Sequence, residues 1–110
     1  MASLVRLARR AGSIVVGVRL TREAVRRGEI AMALVADDLS AKRRERLLAR
    51  WRDSGVSVLG GWTKEELGEI AGKAAVAVLG IKDRNIAAGI AALDAGAKAF
   101  QNREESEGEE

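Results

Sequence analysis

A chain of 110 residues can build one domain around one core and is too short for two. It contains no Cys, His, Tyr or Pro, which excludes disulfides, thiolate metal sites and any catalysis that leans on imidazole or thiolate. Its net charge of +3 hides a division: residues 1–52 hold 13 Lys and Arg against 5 Asp and Glu, residues 53–103 hold 6 of each, and residues 104–110 hold 5 Glu and nothing basic. A first half at +8 implies a polyanionic partner, most often nucleic acid. The blander explanation is an arginine-rich proteome in which Arg replaces Lys on every solvated face. No apolar run approaches the length of a membrane span, and no signal-peptide layout opens the chain. A soluble cytoplasmic protein is expected.

Helices and strands alternate from the N-terminus onward. A first helix is predicted over residues 3–11, with Ser3 as N-cap, Leu4, Leu7, Ala8 and Ala11 as its apolar stripe, and Gly12 past its end. Ile14 to Val16 is a short strand, and a second helix covers about 19–27 and stops at Gly28. The nearly continuous apolar run from Ile30 to Ala36 marks a strand covered on both faces. Asp37, Asp38 or Ser40 then caps a third helix that reaches about Ser54 and buries Leu47, Leu48 and Trp51. Lys42, Arg46 and Arg50 share another side of it at four-residue spacing. Val56 to Leu59 is a third strand. Thr63-Lys64-Glu65-Glu66 spells a capping box that opens a fourth helix to about Ala71, closed by Gly72. Val76 to Ile81 is a fourth strand, and Asp83 caps a last helix that packs Ile86, Ile90 and Leu93 and fades near Gly96. This alternation predicts an α/β fold, a three-layer α/β/α sandwich around a four-stranded mixed sheet.

Two helix starts carry the wrong charge. A helix N-terminus bears about half a positive charge on its free N–H groups and favours acidic neighbours. The second helix instead opens Gly17-Val18-Arg19-Leu20-Thr21-Arg22, and the third opens on Lys42-Arg43-Arg44. An anion held there by backbone N–H and guanidinium groups together would account for both. Catalysis is poorly supplied by contrast. Asp37 and Asp38 adjoin at a strand's carboxyl end, but helix capping is their simpler role, and hard-oxygen metal sites need more clustered carboxylates. Neither Gly12 to Gly17 nor Gly60-Gly61 completes a phosphate-loop or dinucleotide fingerprint. Trp51 falls on an apolar stripe and Trp62 precedes a cap where a hydrophobic staple fits, so core packing outweighs base stacking for both. No catalytic residue, cofactor or metal is predicted.

The order of elements, together with Leu7-Ala8-Arg9-Arg10-Ala11-Gly12, Gly17, Ala24, Arg27-Gly28, Leu34-Val35-Ala36-Asp37-Asp38, Thr63-Lys64-Glu65-Glu66-Leu67-Gly68 and Gly72-Lys73, resembles the kink-turn-binding ribosomal-protein family. The likeness is to archaeal large-subunit protein seven and especially to its bacterial YlxQ-type relatives. It covers about residues 4–93, and the Leu-Ala-x-x-Ala-Gly opening with the Thr-Lys-Glu-Glu-Leu-Gly segment is its most specific part. The resemblance implies an α/β/α sandwich that binds structured RNA without catalysis. By that resemblance, the start of the second helix enters a kink-turn groove and reads its G·A pairs. The loop before the last strand closes over an extruded base. Those elements are here Gly17 to Glu23 and Gly72 to Ala75. The family motif Gly-x-Asn-Glu-x-x-Lys is kept at Gly17, but its Asn, Glu and Lys places hold Arg19, Leu20 and Glu23.

The resemblance and the basic helix start together give Gly17, Val18, Arg19, Leu20, Arg22, Glu23, Arg26, Lys73 and Ala74 as the expected RNA-binding residues. Arg26, near the helix's end, also has an ordinary role in satisfying the dipole. The expected partner is structured RNA, ribosomal RNA or the ribosome, for a monomer with no membrane contact. The competing expectation is a protein-interaction module on the same fold, as Gadd-type members suggest, with an RNA surface degenerate at Glu23. One domain is expected over residues 1–100, followed by a disordered acidic tail over 101–110.

Overall fold

The computed structural model describes residues 2–51 and 54–93. Its elements are α1 (Ala2–Arg10), β1 (Ile14–Val16), α2 (Val18–Arg26), β2 (Met32–Val35), α3 (Ala41–Trp51), β3 (Ser57–Leu59), α4 (Lys64–Ala71) and β4 (Val78–Ile81). A last helix, α5, occupies residues 84–93. The sheet order is β1-β4-β2-β3; β4 pairs antiparallel with β1 and β2, and β2 pairs parallel with β3. This is the mixed sheet of the expected α/β/α sandwich. On the helical layers, α1 touches both α4 and α5, where Arg6 reaches Glu69 at 3.5 Å and Leu4 packs at Gly89. The α2 and α3 helices instead share a cleft with each other.

The central strands explain the apolar runs. Every residue of β2 and β4 is buried, so neither sequence alternates. Both strands are shorter than their apolar runs. Ile30 and Ala36 are buried, yet β2 spans only Met32–Val35. The Ala31 N–H donates to the Ile81 carbonyl and the Ala36 N–H to the Ala77 carbonyl, which holds the flanks by single bonds outside the regular ladder. At the other end, the Val76 N–H donates to the Lys64 carbonyl at 2.9 Å. That bond turns the chain toward α4 and delays β4 to Val78.

Three helices stop on glycine by one device. After α1, α2 and α4, Gly12, Gly28 and Gly72 take φ of 69°, 73° and 75°. The N–H of the next residue then donates back to Ala8, Ala24 and Gly68 respectively, which satisfies a carbonyl the helix leaves over. The start of α1 departs from expectation. It begins at Ala2, so Ser3 lies inside the helix rather than capping it. Val5 and Ala8 are fully buried, whereas Leu7 is 47% exposed and Ala11 is exposed. Val5 and Leu7 sit about 200° apart on a helix, so only one can face the core.

The caps are more specific than the sequence allowed. Ser40 alone caps α3, its hydroxyl accepting from the Arg43 N–H at 3.2 Å. Asp37 accepts from the Gly61 N–H at 3.0 Å and Asp38 from the Lys64 N–H at 2.9 Å, so the pair ties the end of β2 to the start of α4. Thr63 and Glu66 form the reciprocal capping box, and Trp62 is buried in one core with Leu67, as a staple requires. In α3, Leu47 and Trp51 are buried and Leu48 is half-buried; its expected end at Ser54 is not reached, since Ser54 lies in a turn. Asp83 caps α5 by accepting from the Asn85 and Ile86 N–H groups. Ile90 is buried there, but Leu93 is 51% exposed. The expected fade near Gly96 and the acidic tail over 101–110 lie outside the described residues. Among the described residues, no helix is long and apolar enough to cross a membrane.

Candidate nucleic-acid interface

β1 passes into α2 through Gly17 alone, with no loop between them. Gly17 has φ 98° and ψ 160°, a backbone region that residues with a side chain essentially avoid. Its N–H donates to the Val78 carbonyl at 2.9 Å, and its carbonyl accepts from the Thr21 N–H at 3.1 Å. The turn is therefore bolted to the first residue of β4 on one side and to α2 on the other. Thr21 is fully buried, and its hydroxyl donates to the Val15 carbonyl at 3.4 Å. With Thr21 and Ala24 buried and Val18 half-buried against the core, the helix turns Arg19, Leu20, Arg22 and Arg26 outward, all exposed. Glu23 is half-buried.

No side chain caps α2, and its first turn holds no acid. The leading N–H groups thus have no carboxylate or hydroxyl to answer them, while two guanidinium groups stand beside them. Among the described residues the ion pairs are Arg6–Glu69 at 3.5 Å and Arg44–Asp37 at 3.6 Å. Arg19, Arg22, Arg26 and Lys73 take part in neither. Arg19 does not fold across to Glu23, although i,i+4 spacing would permit it.

The loop before β4 reaches the same end of the sheet. Val16 pairs with Leu79, and Gly17 bonds Val78, so the segment from Gly72 to Ala77 delivers the chain directly beside the start of α2. Its shape is set by α4. A Cβ added at Gly68 would meet the Lys73 carbonyl oxygen at 2.8 Å and the Ala74 carbonyl carbon at 2.9 Å, so the loop folds back onto a helix surface that must stay bare. From α1, the Arg9 guanidinium donates to the Ile70 carbonyl at 3.1 Å and lies against Gly72. A cation at that helix end satisfies a leftover carbonyl and the dipole together. Lys73 and Ala74 stay exposed.

The expected residues accordingly fall into two groups, with Glu23, half-buried on α2, in neither. Gly17, Val18, Arg19 and Leu20 gather with Lys73 and Ala74 at one end of the sheet. Arg26 does not, since seven residues of helix carry it roughly 10 Å from Arg19. It lies with Arg22 in the cleft between α2 and α3, a hollow of about 440 Å³ lined by Arg22, Val25, Arg26, Arg50, Trp51 and Ser54. Arg50, which sequence reasoning did not place among the candidate residues, joins them in this cleft. Its place on a basic side of the third helix was visible, but that this side meets α2 depends on tertiary packing. Among the described residues, no group of three or more carboxylates stands ready for a metal ion.

Residues 1–89 match the Ribosomal protein L7Ae/L30e/S12e/Gadd45 family. Among solved structures, the chain is similar to a protein of unknown function from Bacillus halodurans C, at 27% identity and a TM-score of 0.78, over 84% of this chain and 93% of that one. It shares its fold with a Giardia lamblia 15.5kD RNA binding protein, at 24% identity and a TM-score of 0.68, over 81% of this chain and 79% of that one. No curated protein matches it significantly. With the family match running through all four strands and into the final helix, the chain belongs to the Ribosomal protein L7Ae/L30e/S12e/Gadd45 family.

Proposed function

We propose that this protein binds structured RNA without catalysis, as a cytoplasmic monomer of the YlxQ-type branch acting on ribosomal or ribosome-associated RNA. The start of α2 and the loop over residues 72–75 form the contact. The observation that carries this reading is the uncapped, acid-free opening of α2 with Arg19 exposed beside it, next to a loop that bears Lys73. Backbone N–H groups and a guanidinium fork suit phosphate oxygens, and the fork also suits a guanine edge. Leu20, 48% exposed beside Arg19, offers an apolar surface to a base or ribose. Membership of a ribosomal-protein family supports the same partner. Against catalysis stand the absence of His and Cys from the sequence and the commitment of Asp37 and Asp38 to backbone bonds.

Binding through phosphates releases condensed counterions, so affinity for ribosomal RNA falls steeply with added salt. Filter retention of that RNA over a salt series tests the site. Arg19→Ala with Lys73→Ala weakens retention and flattens the slope by about two, near 0.9 for each lost phosphate contact. Arg10→Ala, on α1, leaves both unchanged. Equal effects from the two sets, or no retention at low salt, would refute the reading.

A further inference from the structure

We propose that the cleft between α2 and α3, continued past Ser54 to Arg84, is a second RNA site that holds the sugar–phosphate backbone of a segment beyond the one gripped at Gly17. The proposal rests on the RNA-binding reading and adds to it a groove and two residues, Arg50 and Arg84. Two neighbouring hollows, each about 440 Å³, share Val25 and Ser54 and so make one groove along the flank of α2. Arg22, Arg26 and Arg50 line its first part and Arg84 its second. Among the described residues, no Asp or Glu lines either part, and none of the four arginines has a carboxylate within ion-pair distance.

Such an arrangement does little for the fold. Arg22 and Arg26 stand at i,i+4 on one helix, where like charges oppose each other, and Arg50 adds a third cation from across the cleft. Among the described residues only Arg6 and Arg44 are ion-paired, so what sets the groove apart is the convergence of four arginines on it rather than their lack of partners. Val25, half-buried, gives the groove an apolar floor, against which a ribose face packs while phosphates meet the rim. Continuity points to RNA rather than to an acidic protein. Arg19, Arg22 and Arg26, at i, i+3 and i+7, form one stripe that leads from the start of α2 into the groove.

The test uses the whole protein and intact ribosomal RNA, with filter retention across a salt series. Arg50→Glu and Arg84→Glu are made together, with Arg50→Gln and Arg84→Gln as a milder pair and Arg10→Glu as a charge control on α1. The Glu pair is expected to lower affinity roughly tenfold or more at low salt and to reduce the slope by about two. The Gln pair moves both in the same direction, and Arg10→Glu moves neither comparably. If both groove pairs retain RNA as the wild type does, the groove takes an acidic protein or nothing, and the proposal is overturned while RNA binding stands. A fall that Arg10→Glu matches per reversed charge overturns it too, because total charge would then be the cause. Failure of the wild type to retain the RNA removes the underlying reading and the groove with it.

Discussion

Gly17 makes one residue answer for both the turn and the helix start. Its φ of 98° with ψ of 160° excludes a side chain on backbone grounds, although no neighbouring atom stands within 4 Å of where a Cβ would be. Gly17→Ala should therefore cost about 1–3 kcal/mol from backbone strain, read as a lower urea midpoint. Because Val78 and Thr21 both bond to Gly17, the same substitution should re-aim the start of α2 and weaken RNA binding further than the stability loss explains. Glu23 poses the opposite question, one of specificity. It lies on α2 one turn beyond Arg19, half-buried, with neither Arg19 nor another described cation paired to it. A carboxylate facing phosphates or guanine acceptors repels them, whereas it can accept from a cytosine amino group. Binding to a standard kink-turn should then be weak, and Glu23→Lys should strengthen it by roughly 1–3 kcal/mol if a base-edge contact is regained. Tight kink-turn binding by the unaltered chain would show that Glu23 lies off the interface.

At the scale of elements, α4 shapes a loop that it does not itself contain. Gly68 is buried in the helix, and the backbone of Lys73 and Ala74 lies where its Cβ would be. Backbone cannot rotate away as a side chain can, so Gly68→Ala should push the loop outward. We expect lower stability together with a loss of RNA affinity, measured by thermal melting and filter retention. Thr63→Ala separates the two effects. It removes the cap from the same helix, at a cost of about 0.5–2 kcal/mol, without touching Lys73, so it should lower the melting temperature and leave RNA affinity nearly intact. The capping box was legible in the sequence because its four residues are contiguous and their chemistry is reciprocal. Glycine stops at Gly12, Gly28 and Gly72 were legible for the same reason. What the sequence hid depends on partners distant along the chain. Asp37 and Asp38 read as caps for the helix that follows them, yet they bond Gly61 and Lys64 across the fold. The ends of β2 and β4 are set by single bonds to distant carbonyls rather than by apolar content. The candidate interface divided in the same way: Gly17 to Arg22 stood out as an inverted helix start, whereas the place of Arg50 in the proposed groove needed α3 packed beside α2.

Across the whole molecule, charge is distributed so that the parts can act on one another. The first 52 residues balance to +8, while residues 104–110 add 5 Glu. Those carboxylates are joined covalently to the body that carries the arginines, so their effective concentration near it is high however dilute the protein. RNA must then displace an intramolecular competitor wherever glutamates visit Arg19, Arg22 or the groove. The alternative is a stretch that only raises solubility, for which net negative charge is equally suited. Salt distinguishes the two, because it screens carboxylate–guanidinium attraction over about 10 Å at 0.1 M. Deleting residues 104–110 should tighten binding to ribosomal RNA at low salt, with the gain shrinking as salt is added. Part of any gain would come from the change in net charge alone. A variant that moves the same five glutamates to a tag on the other terminus, behind a linker too short to reach α2, controls for that part. Deletion that leaves low-salt affinity unchanged, or that the relocated tag matches, would assign the stretch to solubility and leave the arginine surface uncontested.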